Sequence, residues 1–153
     1  MPNWLELRAA QDAVFDRDGA EVWRTLRDAI CAVIDSFNAI YCSRGTRDFE
    51  CGECAQMSDT CVRIRSIPPP GQHERYVELR FKPEQRAVAL IANKGQELVF
   101  GFSFEAGTNI LRLTHKDQPI TPDAASKLML EPFLFNSGSR SPLNRLLPND
   151  VSA

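Results

Sequence analysis

The chain has 153 residues, 43% of them hydrophobic and 25% charged, with a formal net charge of -2. That length and balance suit a globular protein able to bury a core unaided, and the mildly acidic whole argues against a dedicated nucleic-acid binder. No window offers the roughly 20 apolar residues that cross a bilayer, and MPNWLELRAAQD lacks the basic start and apolar run of an export signal, so the expectation is a cytoplasmic protein with no membrane partner.

In chain order, Trp4, Leu7, Ala10 and Val14 align at helical spacing and predict a short helix over Trp4–Phe15. Arg17-Asp18-Gly19 is expected to break it. A longer helix then follows over Asp18–Tyr41, with Asp18 and Glu21 arranged as a capping box. Its apolar residues recur at helical spacing, at Val22/Trp23, Leu26, Ala29/Ile30, Val33/Ile34, Phe37 and Ile40/Tyr41, and make one side for burial. Glu21, Arg24, Arg27, Asp28, Asp35 and Asn38 supply the wet side.

Beyond Tyr41 the polar stretch CSRGTRDFECGECAQMSDT shows neither period and reads as a long loop. Alternation then begins. Five strands are predicted: Cys61–Ile67, Arg75–Lys82, Arg86–Ala92, Gln96–Phe104 and Ile110–Thr114, separated by short turns that favour an antiparallel meander. One face would carry Val62/Ile64, Val77/Leu79/Phe81, Val88/Leu90 and Leu98/Phe100/Phe102/Phe104. Thr121 as N-cap, Pro122 at the first helical position and Asp123 in the first turn predict a last helix to Phe135, with Pro132 kinking or ending it. The expected architecture is α+β: a long N-terminal helix packed on a five-stranded antiparallel sheet, followed by a C-terminal helix. Residues 1–135 are read as one domain and 136–153 as a flexible tail, with Leu143, Leu146 and Leu147 available for one local contact.

Four of the five cysteines form Cys42-x8-Cys51-x2-Cys54-x6-Cys61. The close pair Cys51/Cys54 has the spacing of a zinc knuckle, and a metal is one way to order a loop without apolar anchors. Structural zinc on these four residues is an alternative rather than the favoured reading, because zinc patterns usually repeat the close pair. With no export signal a disulfide framework is not expected, and Cys31, inside the helix, reads as a small buried hydrophobe. His73 and His115 stand near turns without a nucleophile set at motif spacing. Arg63, Arg65 and Arg80 with Tyr76 alternate away from the apolar face, an outline shared with single-strand nucleic-acid platforms and, more ordinarily, with sheets laced by cross-strand ion pairs.

The sequence therefore favours a non-catalytic binding or protein-interaction domain, with a protein partner or a second copy of itself. The first alternative is a small-ligand-binding protein or enzyme whose pocket lies between the first helix and the Phe-rich face, lined by Trp23, Phe100, Phe102 and Phe104. The second is nucleic-acid binding through the basic sheet face.

Overall fold

The computed structural model describes residues 3–42, 51–68, 71, 73–92, 95–105 and 110–135. A single helix, α1, runs over Asn3–Tyr41. An antiparallel meander follows: β1 (Cys51–Ser58), β2 (Cys61–Ile67), β3 (Tyr76–Lys82), β4 (Ala87–Ala92), β5 (Glu97–Phe104), β6 (Leu111–His115) and β7 (Gln118–Pro119), arranged in the sheet in chain order. Helix α2 (Pro122–Phe135) ends the described chain. The α+β architecture is the one expected, with seven strands in place of five.

The expected break at Arg17–Gly19 is absent, so the two predicted helices are one. At about 1.5 Å per residue, α1 is roughly 58 Å long. Asp18 does not cap a helix; its carboxylate accepts from the Arg17 guanidinium at 2.9 Å. Gly19 is buried beneath the Phe15 ring, where a Cβ would meet ring atoms at 3.1 Å. A glycine in mid-helix costs about 1 kcal/mol relative to alanine. Here it lets Phe15 lie flat enough to reach the sheet, meeting Phe102 edge-on at 5.3 Å and Phe81 at 6.3 Å between centroids.

The second difference is β1, which replaces the downstream part of the expected loop; residues 43–50 lie outside the described residues, as does the expected tail. β1 pairs with β2 through Cys51↔Ile67, Cys54↔Ile64 and Gln56↔Val62. The positions on its inward side are thus Gly52, which is buried, Cys54, which is half-buried, and Gln56, which is exposed, and they give no apolar alternation to read. The glycine is there for contact: a Cβ at Gly52 would stand 3.1 Å from Ile34 Cγ2. Asn38 of α1 holds the same residue from both sides, donating Nδ2–H to the Gly52 carbonyl and accepting from the Gly52 amide, each at 2.8 Å.

The sheet face named from the sequence is the one that packs on α1. Val62, Ile64, Leu79, Val88 and Phe100 are buried against Trp23, Leu26, Ile30, Ile34 and Phe37. At one level of α1, Val22 adjoins Leu111 and Leu113 of β6 while its neighbour Trp23 donates Nε1–H to the Asp59 carbonyl in the β1–β2 turn at 2.7 Å. The helix meets strands near both margins of the sheet, which therefore curls around it. At its N-terminal end, Arg86 takes a left-handed backbone (φ 47) after the 3-10 turn Pro83–Gln85. That conformation sets its guanidinium over the Phe15 ring and onto the Asp12 carboxylate.

α2 starts as its sequence dictates: Thr121 Oγ1 accepts from the Ala124 amide at 3.1 Å. Pro132 does not end the helix, which continues to Phe135. Ala125, Met129, Leu130 and Leu134 are buried in the same core.

Two substitutions test this packing. Ile30→Asp places an unpaired charge at a fully buried position and is expected to abolish the cooperative circular-dichroism melt. Gly52→Ala overpacks the contact with Ile34 and should lower unfolding free energy by about 1–3 kcal/mol in urea titrations; unchanged stability would mean that α1 does not approach β1 this closely.

Candidate functional site

The four residues proposed to line a pocket are part of the packed interior. Trp23 is 2% exposed and stacks on Phe81 with centroids 5.8 Å apart and planes 13° apart. Phe100 is fully buried, Phe102 packs edge-on against Phe15 and Phe81, and Phe104 is half-buried at the margin of the core. Phe15 and Trp23 of α1 pack directly on this face, against Phe102 and Phe81 respectively. A recess of about 310 Å³ does exist nearby, between Val22 and Thr25 of α1, Leu111 and Leu113 of β6, and Ile120 with Pro122 at the start of α2. His115 lies with its ring 4.9 Å from that of Phe100 and its buried Nδ1 lacks a hydrogen-bond partner among the described residues; His73 is exposed.

The cysteines are distributed by the strand period. Because side chains alternate along a strand, an x2 spacing puts Cys51 and Cys54 on opposite faces of β1. Cys54 points inward and is disulfide-bonded to Cys31 of α1, with Cα atoms 5.7 Å apart, so Cys31 is a cross-link and not merely a small core residue. As a disulfide sulfur, Cys54 has no thiolate to offer a metal. Cys61 shares the outer face with Cys51 but pairs with Ser58, whereas Cys51 pairs with Ile67, which separates them by the length of the ladder, about 20 Å. Cys42, Cys51 and Cys61 are not disulfide-bonded. Among the described residues no three of His, Cys, Asp and Glu come together as a metal site. Burial, reinforced by the Glu78 charge, holds the Cys61 thiol above its usual range, which keeps it protonated and a weak nucleophile near neutrality.

On the outer sheet face the arginines singled out from the sequence are engaged by carboxylates. Glu78, 8% exposed, accepts from Arg63 Nη2 at 2.6 Å and from Arg80 Nε at 3.1 Å. Arg65 binds Glu53 and, at 3.2 Å, Glu74. Arg63 also lies over the Tyr76 ring, 4.7 Å from its centroid. Arg63–Glu78 and Arg65–Glu53 are the cross-strand pairs of a solvated sheet, Arg80 reaches Glu78 along its own strand, and together these contacts occupy donors a nucleic-acid backbone would need. The two guanidinium hydrogen bonds hold the Glu78 carboxyl below the usual carboxylate range, against the effect of burial. A depressed folded-state pKa stabilises the fold above the ordinary glutamate range and loses that contribution as pH falls through it.

One apolar surface is only partly covered by the described residues. The doubled apolar positions of α1 make two stripes. Trp23, Leu26, Ile30, Ile34 and Phe37 face the sheet; Ala29, Val33, Ser36 and Ile40, spaced at four, three and four residues, lie beside them along the next face. α2 lies along this second stripe, and two adjoining hollows of about 230 and 350 Å³ run between the helices, sharing Val33, Asp123, Leu134 and Phe135. Phe135 closes one end, edge-on to Phe37 at 5.4 Å and to Tyr41 at 5.5 Å. Ile40 is 66% exposed. No residue of this stripe was identified from the sequence as a site, although pairs of adjacent apolar residues repeated every third or fourth position signal a stripe wider than one sheet can cover.

No protein-family model matches the chain, and no curated protein or solved structure matches it either.

Glu78→Gln is expected to cost about 1–2 kcal/mol at pH 7, since a buried acceptor loses its charge between two arginines. In urea unfolding at pH 7, 5 and 3 the gap from the unmodified protein should narrow as pH falls below the usual glutamate range; a constant gap would show that the ionised carboxylate is not what matters.

Proposed function

We propose that this chain is a non-catalytic protein-interaction domain and that its contact surface is the groove between α1 and α2. The observation that carries this reading is the second apolar stripe of α1, which remains open beside Leu134 and Phe135 after the first stripe has been buried in the sheet. A groove of this kind, with aliphatic floor and aromatic end, suits side-chain anchors of another polypeptide. Two other surfaces offer less: the Phe-rich face is filled by α1, and the arginines of the outer face are neutralised by their neighbours. A second reading, small-ligand binding, has the recess beside Val22, Leu111 and Ile120 in its favour, rimmed by Glu21, Thr25, Arg112 and Thr121.

Selection of peptides from a displayed random library against the full chain tests the reading. Enriched sequences should carry apolar residues at helical spacing, and Ile40→Asn should weaken their binding at least tenfold, about 1.4 kcal/mol. Val99→Asn, at an exposed position of the outer sheet face, should leave it unchanged. Loss with Val99→Asn and not with Ile40→Asn would refute the groove as the contact surface. Ligands competing only at the recess would favour the second reading.

A further inference from the structure

The polar groups around this groove are unlike those of the outer sheet face. On the outer sheet face Glu53, Glu74, Glu78 and Glu97 all have a basic partner. Around the groove, Asp123 and Glu131 of α2 line the hollows, and the 3.6-residue period of α1 sets the exposed Asp28 and Asp35 next to Ala29, Ala32 and Ser36 on the side of the stripe away from the sheet-facing residues. Asp28 contacts Arg27, but the carboxylates of Asp35, Asp123 and Glu131 have no ion pair among the described residues. Lys127 is the basic group lining the hollows. An apolar floor is thus bordered on both sides by carboxylates, most of them unmatched.

We infer that the groove takes a basic amphipathic helix: a partner segment with aliphatic or aromatic residues on one face, flanked by lysines or arginines. This rests on the reading of the groove as a protein-contact surface and adds the chemistry of what it contacts. Charge complementarity specifies the flanks, because lysines or arginines on either side of the anchors would meet Asp28 and Asp35 on one border and Asp123 and Glu131 on the other. The walls specify the conformation. Both are helices, so an extended peptide entering the groove would bury backbone N–H and C=O groups with no strand edge to receive them, whereas a helix satisfies its own. Ala29 to Ile40 spans about 17 Å of α1, enough for three turns of a partner.

The test uses the full chain and two synthetic 14-residue helical peptides of identical leucine pattern, one with lysine at every polar position and one with glutamate, followed by fluorescence anisotropy. The lysine peptide is expected to bind at least tenfold more tightly than the glutamate peptide at 50 mM salt, with the preference shrinking at 500 mM as screening shortens the reach of the carboxylates. Asp35→Asn and Glu131→Gln should each reduce lysine-peptide affinity several-fold, and Glu97→Gln, a neutralisation of equal size on the sheet, should not. Equal affinity for both peptides, lost with Ile40→Asn, would overturn the charge inference and leave the groove reading standing. Binding insensitive to Ile40→Asn would overturn both. Lysine-peptide affinity falling equally with Glu97→Gln would expose general attraction to an acidic protein and overturn the proposal. So would light scattering that gives a dimer which Ile40→Asn dissociates, since the occupant would then be a second copy.

Discussion

The contact between the inner stripe of α1 and the curled sheet is the constraint from which the rest of the structure follows. Leu26 and Ile30 are wholly buried, and Trp23, Ile34 and Phe37 nearly so, against strands from β2 to β6. Directional bonds fix what burial alone would leave free to slide. Trp23 is tied to the β1–β2 turn, Asn38 to the Gly52 backbone, Cys31 to Cys54 and Asp12 to Arg86. These ties are spaced along most of α1, so helix and sheet margins are held in one register. Hydrophobic burial supplies the driving force; hydrogen bonds to buried main chain are costly to leave unmade and so make the register specific.

A helix held in this way can present only one side to the sheet, and its remaining apolar residues need another neighbour. α2 supplies it in part. It buries Leu130 and Leu134 against the core and covers the flank of Val33, but it leaves Ala29, Ala32 and Ile40 beside open hollows. The groove is therefore what remains when one helix carries more apolar surface than the other described residues cover. Its acidic border separates it from the sheet, where positive and negative side chains are matched across strands. This contrast is the physical basis for assigning the groove to contact with another molecule and the outer sheet face to solvation.

The fold was legible where periodicity and punctuation agreed. The inward positions from Val62 to Phe104 followed from alternation, and Thr121-Pro122-Asp123 marked the start of α2. Legibility failed where a residue type with a familiar local meaning was serving a distant contact. Asp18-Gly19 resembles a helix stop and start, yet the glycine makes room for Phe15. Gly52 and Cys54 resemble part of a metal knuckle, yet one admits Ile34 and the other bonds to Cys31. The β1 strand was missed for the same reason, since its core-facing side is built from small and polar residues that accept the helix. Trp23 and Phe100 were expected as pocket walls because aromatic residues suit both pockets and cores, and sequence does not say whether α1 fills the space between them. The groove was written in the doubled apolar positions of α1, but recognising it required the position of α2.

On the proposed reading α1 has two jobs on adjacent faces, an inner one of holding the fold and an outer one of receiving a partner. Methyl NMR of the full chain titrated with the lysine–leucine peptide separates them in one spectrum. The methyl signals of Val33, Ile40, Leu130 and Leu134 are expected to move, while those of Leu79 in the core, Val99 on the outer sheet, and Leu111 and Ile120 at the recess stay in place. Shifts confined to Val99, or to Leu111 and Ile120, with Val33 and Ile40 unmoved, would contradict it.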